Sequence, residues 1–447
     1  MFLEVLAKRV GGGVEREGGA GGRCRFLLGG FAVLGSMFAP LRERNYRIWA
    51  AADLVSVGGT WMQVLALNWL ILSATGSATA MGAVVMLQAL PVLLLGSWGG
   101  ALADRLPARP FLIGFQALRA LLALALLLPG GVLPGNWLIY AVALFSGVIS
   151  SFEGPVLGRF GSALVPPSAL GSALALGSVL SSAGRIGGMA LGGVLIGVTG
   201  PSALFLINAV SYVAVIVALL AMRPGDMREL SAPSRADGGV VAGFRYLLGQ
   251  PVILVVLALS FVLGSLGRNY QVSMAAMVAG PLGGSSGSYG LLSTVFAVGA
   301  VAGGLLLAGT GRSTLRVLLG TGFVISVLQL LSSLAPNVLG FAALILPIAA
   351  GAVIFDTVVS TRIQLDTREE MRGRVLATVG IVSSLSGIVG APAIGWLCDT
   401  LGAREALFTA GAVTTVAAVA GGVALLRLKG RALSWPFLLG RPAEQAA

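Results

Sequence analysis

Histidine is absent from this 447-residue chain, which excludes a His-liganded metal site and a histidine general base. Cysteine is nearly absent. Cys24 and Cys398 are too few and too far apart for a disulfide framework. Charge is also scarce, at 10% of residues, whereas a water-soluble domain carries about a quarter. No H-E-x-x-H, G-x-S-x-G or P-loop pattern occurs, so the sequence offers no catalytic constellation and no direct use of ATP. The expectation is a chain that is not an enzyme and holds no cofactor and no metal.

What is present is apolar: 56% of residues are hydrophobic and 66 are glycine. Charge-free or nearly charge-free runs occupy 46 to 103, 110 to 156, 170 to 222, 246 to 308, 315 to 361 and 374 to 427. A helix needs ~20 apolar residues to cross a bilayer, so each run is long enough for two. Turn-forming clusters divide them: "SATGSAT", "PGGVLPGN", "TGPS", "GPLGGSSGS", "LAPN" and "DTLGARE". The pattern predicts an all-α polytopic membrane protein of twelve transmembrane helices, or spans.

The net charge of +12 is carried by basic residues placed singly between apolar runs, not in a patch that suits nucleic acid. Their placement sets orientation. Arg105, Arg109, Arg159, Arg223, Arg228, Arg235, Arg245, Arg312, Arg316, Arg362, Arg368, Arg372 and Arg374 fall between the six pairs of spans, while the clusters inside the pairs contain only Arg404. The positive-inside rule then puts both termini in the cytoplasm, with the chain in the cytoplasmic membrane.

The longest polar segment, "RPGDMRELSAPSRADGG", separates two halves that resemble each other. "GVLIGVTGPSALF" and "GWLCDTLGAREALF" share a spacing, and Gly193 corresponds to Gly395 as Gly100 does to Gly304. The predicted organisation is an N-terminal extension at 1–40, a six-span half at 41–222, a linker at 223–245, a second six-span half at 246–427 and a tail at 428–447. The glycine-rich extension is read as disordered or as a start assigned too early, with Met37 the natural first residue; a cleaved signal is the competing view.

The stretch "GGALADRLPARP" (99–110) falls where the second span emerges. Gly99 and Gly100 suit close approach of another helix, and Pro107 and Pro110 end one helix and start the next. Asp104 then lies at the membrane edge, where a carboxylate can meet the N-terminus of the eleventh span, preceded by Arg372 and Arg374. Gly100, Asp104, Arg105 and Arg109 in this stretch resemble the G-x-x-x-D-R-x-G-R-R loop of the major facilitator superfamily. "APLRERNYRIW", "GTWMQ", "SFEGP", "GRIGGMALGG" and "RGRVLATV" resemble its branch of bacterial efflux carriers that includes the enterobactin exporter.

That resemblance implies the two-lobed fold and a loop that latches the cytoplasmic side while the carrier faces outward. Pro107 and Ala108 replace family residues, and Ala308 stands where a second latch would have its aspartate, so one latch is expected. Met189 stands where antiporters of the superfamily often carry proline, although "GAPAIG" in the eleventh span supplies Pro392. Gly188, Gly192 and Gly193, with Gly390, Pro392 and Gly395, are read as helix-packing positions.

Charged residues inside spans are functional candidates by default. Counting ~1.5 Å per residue from each helix start, Asp53 and Arg119 fall in the interior. Glu153 and Asp356 fall near cytoplasmic helix ends, suited to gating or loop anchoring, and Arg185 is intermediate. Arg268 reaches the outer interface as a snorkelling side chain. Asp53 is read in two ways, as the proton-coupling carboxylate of the central cavity or as a structural partner of Arg119 or Arg185. Gln63 and Asn68 are read as cavity lining or as interhelical hydrogen-bonding residues. Trp61, Met62, Trp69, Met86 and Trp98 are read as packing or lipid-facing residues.

The leading functional reading is a monomeric secondary carrier, its partners protons, membrane lipid and a small-molecule substrate. It would export amphipathic compounds, drug-like or siderophore, by proton antiport with alternating access. A nutrient or metabolite importer of the same fold is the alternative, and a non-transporting membrane receptor or partner protein is the alternative of another class.

Overall fold

A computed structural model describes residues 38–103, 107–127, 136–228, 239–310, 314–368 and 371–432. Among the described residues, twelve helical stretches are long and apolar enough to cross a membrane, as the sequence predicts. The first six are α1 (Arg44–Thr75), α2 (Ala78–Ala103), α3 (Ala108–Ala125), α4 (Trp137–Ala163), α5 (Leu170–Thr199) and α6 (Pro201–Ala221). A short helix, α7 (Gly239–Leu248), begins in the predicted linker and runs three residues past its predicted end at 245. The seventh span is in two pieces, α8 (Pro251–Val262) and α9 (Tyr270–Ala279), and the rest follow as α10 (Ser286–Thr310), α11 (Leu315–Ser332), α12 (Val338–Asp366), α13 (Arg372–Leu401) and α14 (Ala403–Ala432).

Most of these helices have no polar face to present to water. Large apolar side chains stand exposed around the bundle, Val198 at 81%, Leu339 at 73% and Trp98 at 70%. Contiguous apolar exposure on this scale has no place in water. In hydrocarbon it costs nothing, and the helical backbone satisfies its own hydrogen bonds there.

Turns repeat between the halves. A single glycine with positive φ separates α5 from α6 (Gly200, φ 77°) and α13 from α14 (Gly402, φ 98°). Both lie in the left-handed region that L side chains rarely adopt. Their spacing, 402 minus 200, equals that of Gly193 and Gly395, so the internal repeat is structural as well as sequential.

The two halves meet at one end of the bundle, the end opposite Arg44 and Arg427, called the far end here. One apolar cluster there combines Leu67, Ile71 and Phe205 of the first half with Met274, Tyr289 and Phe341 of the second. At the near end the apolar core divides in two. Tyr46, Leu112, Phe160 and Leu219 form one cluster in the first half, and Ile253, Leu318, Phe355 and Leu425 another in the second. The far end is thus sealed by shared packing, whereas near-end side chains pack within their own half.

Candidate functional site

Glycines make the far-end seal possible. A methyl group on Gly193 of α5 would collide with the backbone of Gly290 on α10, and one on Gly395 of α13 with Ala78 and Thr79 on α2. The equivalent glycines of the two halves therefore occupy equivalent contacts, each against a helix of the other half. Gly390 lies against Ser265, Gly188 against Gly58 and Gly192 against Met62, while Gly82 lies against Ala391 and Pro392. Small residues let backbones approach closely where no hydrophobic driving force separates helix from lipid.

Polar contacts cross the same seam. Asn68 Nδ2 on α1 donates to Gln271 Oε1 on α9 at 3.0 Å, and Trp69 stacks on Tyr289 with ring centroids 5.8 Å apart. At its edge the Asp399 carboxylate, near the C-terminus of α13, accepts from Ser77 Oγ at 2.6 Å, from the Ala78 amide at 2.7 Å and from the Thr79 amide at 2.9 Å. These groups open α2, so the carboxylate of one half caps a helix of the other.

Sequence reading missed this cap, yet left a trace of it. A carboxylate in the last turn of a helix opposes that helix's own dipole. Its placement in "LCDTLG" makes sense once another helix N-terminus supplies the donors.

Inside the first half, a cavity of about 220 Å³ is lined by Trp49, Asp53, Thr60, Trp61, Gln116, Arg119, Glu153 and Tyr212, among others. The structure corrects one reading of Asp53. Arg119 Nε donates to Glu153 Oε2 at 2.6 Å and its Nη2 to Ser150 Oγ at 2.8 Å, and Gln116 Nε2 donates to Glu153 Oε1 at 2.8 Å. Glu153 is thus a buried partner of Arg119, not a loop anchor. Arg185 lies over the Trp61 ring, 5.8 Å from its centroid. Neither arginine engages Asp53, and among the described residues its carboxylate accepts no hydrogen bond.

Gln63 Oε1 accepts from Asn208 Nδ2 at 2.6 Å. That bond joins α1 to α6, away from the cavity. Asn68 takes the interhelical role as well. Gln116, Ser150 and Tyr212 were not singled out from sequence, since a lone glutamine, serine or tyrosine in an apolar run carries no positional signal until a charged neighbour is known.

The second half holds a larger correction. Counting from helix starts puts Arg268 at one membrane face and Asp356 near the other, but the two form an ion pair. The count fails because the seventh span is broken. A π turn at Leu263–Gly267 follows α8, and the chain bends at Arg268 and Asn269 before α9 begins. The freed carbonyls are satisfied by side chains: Asn269 Nδ2 donates to Ser265 O at 2.7 Å and Gln329 Nε2 to Leu266 O at 3.0 Å. Arg268 is therefore held in the interior and does not snorkel outward.

Asp104 and Arg105 lie outside the described residues. Arg109 ties the start of α3 to the end of α6, its Nε donating to Leu219 O at 2.8 Å and its Nη2 to Leu220 O at 3.1 Å. Arg372 Nε donates to Gln364 O at 3.1 Å and Arg374 lies 3.6 Å from Met371 Sδ. Close packing near the second span's end falls to Gly99, against Ser151, whereas Gly100 has open space where a Cβ would stand.

Residues 35–433 match the family described as transmembrane secretion effector. Among curated proteins, the macrolide efflux protein A of Streptococcus pyogenes is 23% identical over 84% of this chain and 94% of its own length. The staphyloferrin A transporter of Staphylococcus aureus is 23% identical over 56% of this chain and 63% of its own. Another curated relative is matched over only 49% of its length. Among solved structures, the nucleoside transporter NupG superposes with a TM-score of 0.67 at 13% identity, covering 86% of this chain and 99% of that one, which bears on the fold alone. The match over nearly the whole membrane bundle places the chain in the transmembrane secretion effector family of the major facilitator superfamily.

Proposed function

We propose that the protein exports amphipathic small molecules from the cytoplasm in exchange for protons, with Asp53 as the coupling group. The observation that carries this reading is the Asp53 carboxylate, which shares a cavity with an ion pair yet accepts no hydrogen bond from the described residues. A coupling site must change its protonation between the two access states. A carboxylate without a fixed partner is free to do so, whereas one locked to arginine, like Glu153, is not.

Access follows from the packing. The near end carries the arginine-bearing segments and is cytoplasmic by the positive-inside rule. With the far end sealed, the cavity is reached from the cytoplasm. Parting of the Gly193–Gly290 and Gly395–Ala78 contacts, with release of Asp399 from α2, opens the far end. Asp104, Arg105 and Arg109, with Arg372 and Arg374, then hold the near end shut. Relatives named for macrolide efflux and staphyloferrin transport support small-molecule export.

Asp53→Asn tests the coupling. In vesicles with an imposed pH gradient, the variant folds and exchanges substrate downhill but no longer concentrates it. Uphill transport by Asp53→Asn would move the coupling role to another carboxylate. Accumulation only toward the cytoplasm would replace export with import.

A further inference from the structure

The Arg268–Asp356 pair has no part in the coupling scheme, and its surroundings point to a ligand. Asp356 is ten residues from the end of α12, 366 minus 356, so ~15 Å inside it at 1.5 Å per residue. At that depth its side chain is 54% exposed, while that of Arg268 is 19% exposed. A carboxylate so exposed cannot face hydrocarbon without a cost of several kcal/mol. That exposure suits an aqueous lining on the near-end side, where the apolar core of each half packs separately.

Position reinforces this. Arg268 sits at the break in the seventh span, between α8, whose side chains join the near-end cluster of the second half, and α9, whose side chains join the far-end seal. Gln271, three residues on, holds Asn68 of the first half. A charged group bound at this break therefore touches the junction between a fixed helix and a helix of the gate. Helix breaks and π turns recur at functional sites for this reason, because they expose groups that a regular helix conceals.

The chemistry of the ligand follows from which partner is spare. The guanidinium is the covered member of the pair and the carboxylate the accessible one. The first half has a related arrangement: Arg119 is held by Glu153 and Ser150, while among the described residues Asp53 accepts no hydrogen bond. Each half thus sets a carboxylate with acceptor capacity to spare near an arginine that is already engaged. We infer that Asp356, at the broken seventh span, is a binding determinant for organic cations, so that the exported substrates carry positive charge. This rests on the carrier reading above.

The test uses tetraphenylphosphonium and tetraphenylborate, which share size and shape and differ in the sign of charge, measured by equilibrium dialysis against the purified full chain with protein-free detergent subtracted. Asp356→Asn lowers affinity for the phosphonium about tenfold. Arg268→Gln, which leaves the carboxylate uncompensated, raises it by a similar factor. Both effects reverse sign for the borate. A purely structural ion pair cannot produce opposite signs, since losing either member would damage binding alike. Arg268→Gln/Asp356→Asn together restore neutrality and keep a measurable fold, read by thermal melting, if either single variant unfolds; the double variant then shows no preference for the cation over the anion beyond that of the subtracted detergent. Changes of the same sign, or none, would overturn the inference. Pumping of the phosphonium in pH-gradient vesicles is read separately: opposite binding signs without pumping sink the carrier reading alone, and pumping without opposite signs sinks this one alone.

Discussion

The Asp399 cap gives the sharpest handle on the access equilibrium. Asp399→Ala removes one acceptor group that serves Ser77 Oγ, the Ala78 amide and the Thr79 amide at 2.6 to 2.9 Å. Losing an N-cap acceptor costs about 0.5–2 kcal/mol, and a negative charge at a helix N-terminus adds about 0.3–1 kcal/mol when exposed. Asp399 is exposed at its helix end, so the total is about 1–2 kcal/mol. These bonds join the two halves and exist only when the far end is shut. The whole loss therefore falls on one conformation, and the ratio of far-closed to far-open molecules drops about 5- to 30-fold. Spin-labelled cysteines at Ser202, at the start of α6, and Leu334, on the turn after α11, report this by pulsed electron–electron distances once Cys24 and Cys398 are replaced by alanine. A long-distance population grows in Asp399→Ala. Asp399→Asn, which keeps one oxygen acceptor and loses the charge, falls between. An unchanged distance distribution in folded Asp399→Ala would show that the cap does not bear on access.

Three further outcomes follow from packing and charge. Gly193→Ala and Gly395→Ala each push a methyl into the opposing backbone, at about 1–3 kcal/mol, so each opens the far end by the same distance assay; Gly187→Ala, which meets nothing within 4 Å, does not. Glu153→Gln leaves Arg119 without its counter-charge at side-chain exposures of 15% and 6% and destabilises the first half by about 3–5 kcal/mol; an unchanged melting temperature would contradict a buried pair. Asp104→Asn lowers transport far more than Asp226→Asn in the linker, and equal effects in a flux assay would deny the loop its latch role.

The sequence alone determined the number of spans and the internal repeat. The reason is that a bilayer imposes a length and an apolarity on every crossing helix, and both are local properties of the chain. The repeat from Gly193 to Gly395 was equally legible, because equivalent helices need equivalent small residues. Tertiary structure decided the charge pairings. Arg119 lies close in sequence order to neither Asp53 nor Glu153, and only the packing of α3 on α4 selects Glu153 and leaves Asp53 free. Depth counting misplaced Arg268 because it assumes unbroken helices, and the π turn that breaks the seventh span has no signature in "FVLGSLGRNY". Asp399 shows the limit most clearly: its residue type contradicts its own helix, and Ser77, just before the helix it caps, is 322 residues away, 399 minus 77. Which distant N-terminus a carboxylate meets is fixed by how two halves pack, and no local pattern encodes that.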